Sequence, residues 1–221
     1  MNKQELKTKV KENLEFAKEM CERNDENGGV QVMLITDTSK GDKKTGIAAI
    51  LANEGAVEKR RDIVFDLGVR AGIELLNGSI DSVNAVFMVS EAWFSEGPKD
   101  SKAKDMVMPS EDPNKKEAIV STGMSKDGDT ACGMFELKRS FDLENGKLKI
   151  SFAPIGDEKG KEKDEAFDSP LLRQFWNGVE LMEQFDKSLP LVLKNHIKGL
   201  STEKAFAIFS KQLQEFRNKK N

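Results

Sequence analysis

Three apolar β-like runs, at 117–124, 130–143 and 147–154, follow one another with almost no chain between them. Their connections are Asp127-Gly128-Asp129 and Asn145-Gly146. Parallel neighbours need a crossover of a dozen residues or more, so links this short force antiparallel pairing. Asn-Gly between alternating apolar residues is also a strong hairpin signal, because both positions tolerate the positive φ of a tight turn. A doubly wound parallel sheet is thereby excluded. A two-residue loop at Asn145-Gly146 predicts Leu143 opposite Leu148, Phe141 opposite Ile150 and Arg139 opposite Phe152.

The remaining chain supplies more strands and several helices. Leu6, Val10, Leu14, Ala17 and Cys21 recur every three or four residues, which predicts an amphipathic helix over 3–23. Short β-runs at 30–36 and 45–52 flank the polar loop Asp37 to Lys44. A second helix is expected over 56–76, stopped by Asn77-Gly78, and then an apolar strand at 86–94. Ser169 and Pro170 open a further helix, with a last one near 202–217. The expected class is α+β: an antiparallel sheet of about five or six strands, helices on one face, and a C-terminal helical element. The expected divisions are a core domain over 1–155 with its N-terminal helix, a charged linker or loop at 156–168, and helices over 169–221 packed on the core. Phe87, Val89, Ile119, Phe135, Leu137, Phe141, Ile150 and Phe152 are the expected core. Trp176, one position off its helical stripe, reads as a boundary residue or second contact surface.

Composition narrows the function classes. A net charge of −3 over 221 residues gives no broad basic field for nucleic acid. The polar start Met1-Asn2-Lys3-Gln4-Glu5 does not read as a signal peptide, and no apolar run approaches membrane-spanning length. A cytoplasmic protein with two buried free thiols, Cys21 and Cys132, is expected. One histidine, His196, rules out multi-histidine zinc sites, and no phosphate-binding or dinucleotide fingerprint is present. The loop Lys40 to Lys44 reads as a solvated hairpin tip.

Charge inside apolar rows is the remaining signal. Alternation groups Glu91 with Phe87, Val89 and Trp93, and Arg139 with Phe135, Leu137 and Phe141. An unpaired guanidinium on an apolar face is costly, so Arg139 is expected to pair with Glu91 or Glu117. A three-residue loop at Asp127-Gly128-Asp129 would set Glu117 directly opposite Arg139, whereas a two-residue count would turn Glu117 away and leave Glu91. Glu91, Glu111, Asp112 and Glu117 are the catalytic candidates, since converging carboxylates bind hard cations such as Mg or Mn. Their bland reading is an ion pair at Glu91 and turn residues between two prolines. Trp93 either lines an interface or closes the edge of the core.

The order Ser90-Glu91-Ala92-Trp93 followed by Pro109-Ser110-Glu111-Asp112-Pro113-Asn114-Lys115-Lys116-Glu117 resembles a family of uncharacterised phage and prokaryotic proteins. The resemblance covers residues 30–155 and brings no established activity. It implies a phage or prokaryotic origin and singles out Glu91, Trp93, Glu111, Pro113 and Glu117. The expected binding positions are Trp93, Pro109, Ser110, Pro113, Lys116 and Arg139. Together these readings favour a non-enzymatic binding or regulatory protein acting through protein contacts, with no cofactor. The alternatives are a Mg- or Mn-dependent hydrolase and a structural or virion-associated protein.

Overall fold

The computed structural model describes residues 1–23, 32–50, 57–95, 112–142, 147–155, 169–188 and 191–209. Its elements, in order, are α1 (Lys3–Arg23), β1 (Met33–Lys40), β2 (Lys43–Ile50), α2 (Val57–Leu76), β3 (Ser82–Phe94), β4 (Lys116–Ser125), β5 (Thr130–Asp142), β6 (Lys147–Pro154), α3 (Pro170–Ser188), α4 (Leu191–Lys198) and a helical stretch at 202–209, α5. The six strands form one antiparallel sheet in the order β2-β1-β3-β4-β5-β6. This is the α+β architecture that the hairpin signals imply, with helices following the last strand.

Local chemistry explains the element ends. The Asn2 and Glu5 side chains cap each other's backbone N–H at 2.9 Å, a reciprocal box that starts α1. At the end of α2, Gly78 takes φ 73° and Ser79 N–H donates to the Glu74 carbonyl at 2.9 Å. That αL glycine absorbs carbonyls the helix would otherwise leave unpaired. Ser169 Oγ accepts from Leu172 N–H and starts α3.

The helices cover both faces of the sheet rather than one. Odd-numbered residues of the central strands, among them Phe87, Val89 and Ile119, pack with Leu6, Val10, Leu14, Ala17 and Cys21 of α1. Leu34, Val86 and Met124 point the other way and pack with Val64 of α2 and with Leu172, Phe175 and Trp176 of α3. The apolar runs on β1 and β3 have this cause, since strands buried on both faces lose their alternation. Trp176 is therefore core, 7% exposed and edge-on to Phe175. A third cluster joins Val69 and Ile73 to Met182, Ile197, Ala205 and Phe209. The segment around His196 is the helix α4, with its apolar residue Ile197 buried in that cluster.

Both β5 registers differ from expectation by two residues. Asp142 pairs with Lys147, so four residues, 143–146, separate the strands instead of two. Phe141 then faces Leu148, and Arg139 faces Ile150. Glu117 faces Leu137, leaving Arg139 as its diagonal neighbour. A shift of two preserves which face each side chain occupies, so the alternation argument survives the miscounted loops. Asn145-Gly146 itself lies outside the described residues.

Candidate functional site

The charged residues of the apolar rows meet at one end of the sheet. Arg139 donates from Nη2 to Glu91 Oε1 at 2.9 Å and from Nη1 to Glu117 Oε2 in a closer contact. The guanidinium thus engages both acids rather than choosing one. The diagonal offset is no obstacle, because long side chains reach across it. The arrangement is only half buried: the Arg139, Glu91 and Glu117 side chains are 24%, 33% and 28% exposed. Cys21, near the end of α1, lies close enough to feel both charges. Burial pushes its thiol up to about 11, with the Glu91 charge adding to the shift and Arg139 opposing it.

Trp93 lies opposite Glu117 on the neighbouring strand and is 51% exposed. The Lys115 ammonium sits 5.0 Å from its ring centroid, a cation–π contact that sequence reading missed. Phe141, expected in the core, is 61% exposed. The reason is length: α1, at 21 residues, spans about 31 Å. The 13 residues of β5 span about 43 Å, so the strand outruns the helix that covers it. Val10 and Leu14 sit over Gly133, and Phe141 lies far beyond them along the same row.

The other candidates do not join this group. Asp112 is committed to its own turn: it accepts from Asn114 N–H at 2.8 Å, and this bond holds its carboxyl below the usual range. Pro113 occupies the same turn and is exposed. Lys116 points to the opposite face from Glu117, lying 3.6 Å from Glu136 and beside the Phe94 ring. Pro109, Ser110 and Glu111 lie outside the described residues. Of the two free thiols, Cys21 is buried as expected, while Cys132 is exposed.

Chemically, the arrangement presents two carboxylates bound to a guanidinium, not two carboxylates converging on a vacant centre. Among the described residues, no group of three His, Cys, Asp or Glu side chains could hold a metal ion, and no helix is long and apolar enough to cross a membrane. In comparisons with protein-family models, curated proteins and solved structures, the chain matches none.

Proposed function

We propose that this chain is a cytoplasmic, non-enzymatic binding or regulatory protein of phage or prokaryotic origin that engages a protein partner through the open end of its sheet. One observation carries the reading. Trp93 and Phe141, both more than half exposed, lie on the same sheet face as the Glu91–Arg139–Glu117 ion pairs. Exposed aromatics around a positioned arginine make up the composition that energetic centres of protein interfaces favour. Of the four carboxylates of the rival hydrolase reading, Glu91 and Glu117 are already hydrogen-bonded to Arg139, and Asp112 accepts from Asn114 N–H in its own turn.

Site-specific photo-crosslinking in bacterial lysate tests this. A photoreactive residue at 93 and, separately, at 141 should yield one adduct of common mass. The same residue at 138, on the opposite face, should not. Adducts of equal yield at all three positions, or none at 93 and 141, would overturn the proposal.

A further inference from the structure

The far end of β3 from Trp93 borders a groove of ≈570 Å³ between α2, α3 and α4. Leu75, Leu76 and Val83 give it apolar walls, and the rim carries four lysines against three carboxylates. Every carboxylate already has a cation. Glu183 pairs with Lys126 at 2.8 Å and Asp186 with Lys194 at 3.2 Å. Asp81 pairs with Lys40 from outside the groove at 3.1 Å and also accepts Gly41 N–H at 2.6 Å. Two groove lysines remain, Lys187 and Lys198, with no acid in any ion pair among the described residues.

Those two lysines occupy the last turns of α3 and α4. A helix end offsets only about half a charge, so each ammonium keeps a net positive field. In a chain of net charge −3, this groove is a local site of the opposite sign. Its volume falls within the roughly 300–1,000 Å³ typical of small-molecule sites, which combine apolar walls with few polar anchors.

We infer that the groove binds a small amphipathic anion, its apolar body against Leu75, Leu76 and Val83 and its anionic head between Lys187 and Lys198. Anilinonaphthalene sulfonate, a fluorescent molecule of this chemistry, is a direct probe for the full chain. The double variant Lys187→Gln/Lys198→Gln should weaken its binding about tenfold. Lys138→Gln/Lys149→Gln removes the same charge from the solvated sheet face, so it should leave the affinity within about twofold. Thermal melts of both variants should match the parent, separating lost binding from lost folding. Naphthyl phosphate and naphthoate should each displace the probe, and the stronger competitor identifies the preferred head group. Equal weakening in both double variants, or displacement by neither competitor, would overturn the inference.

Discussion

The two helical layers approach their neighbours by different means. Where α2 crosses α3, backbone meets backbone: a Cβ on Gly68 would strike the Phe175 carbonyl group, and one on Gly178 would lie 2.7 Å from Val69 N. On the other face, α1 meets the sheet through side chains, with Leu14 and Val10 lying 2.9 and 3.1 Å from where a Gly133 Cβ would stand. Side chains can shift rotamer to admit a methyl, whereas a packed backbone can yield only by separating the helices. The α2–α3 contact is therefore a rigid crossing and the α1 contact an adjustable one. The open end of the sheet, with Arg139, Trp93 and Phe141, belongs to the adjustable layer.

The strongest way to break this comparison is a methyl on each side. Gly68→Ala or Gly178→Ala should destabilise by about 3 kcal/mol, and Gly133→Ala by only about 1 kcal/mol, measured by urea unfolding. Equal costs would abolish the distinction. Next in size, Arg139→Met should cost about 2 kcal/mol by leaving two carboxylates together. This is less than a fully buried charge would cost, because water reaches all three side chains. A melt identical to the parent's would remove Arg139 from the structural account.

The Cys21 thiol gives a pH signature for the α1 layer. Its folded value near 11 lies above its ordinary 9.0. The associated stabilisation is complete below about pH 9 and lost as the pH rises through about 11. The stability advantage of the parent over Cys21→Ala should accordingly shrink between pH 8.5 and 11. A constant gap would contradict the burial of this thiol. The smallest effect belongs to the exposed edge, where Phe141→Ser and Trp93→Ala should each change stability by no more than about 0.5 kcal/mol. A loss several times larger would return them to the core and weaken the proposed interface.

Much of the fold is legible residue by residue. The bounds of α1 follow from the spacing of Leu6 to Cys21, and the antiparallel meander follows from its short connections. That Arg139 pairs with an acid of the neighbouring strands follows from alternation, since parity survives an even register error, whereas its engaging Glu91 and Glu117 together does not. Three features escaped for physical reasons. The apolar runs of β1 and β3 do not say that a helix layer lies on each side. Phe141 has the alternation of a core residue, and only the relative lengths of α1 and β5 expose it. Gly68 and Gly178 look like unremarkable helix interiors until two backbones are placed in contact.

By itself the sequence determined what depends on neighbours along the chain: helix caps, strand parity and the α+β class. Tertiary structure alone decided which faces are covered, how far a helix reaches along a strand, and which lysines keep an uncompensated charge. Those outcomes depend on distances between segments far apart in the chain. Periodicity records which way a side chain points, but not how far away the element opposite it lies.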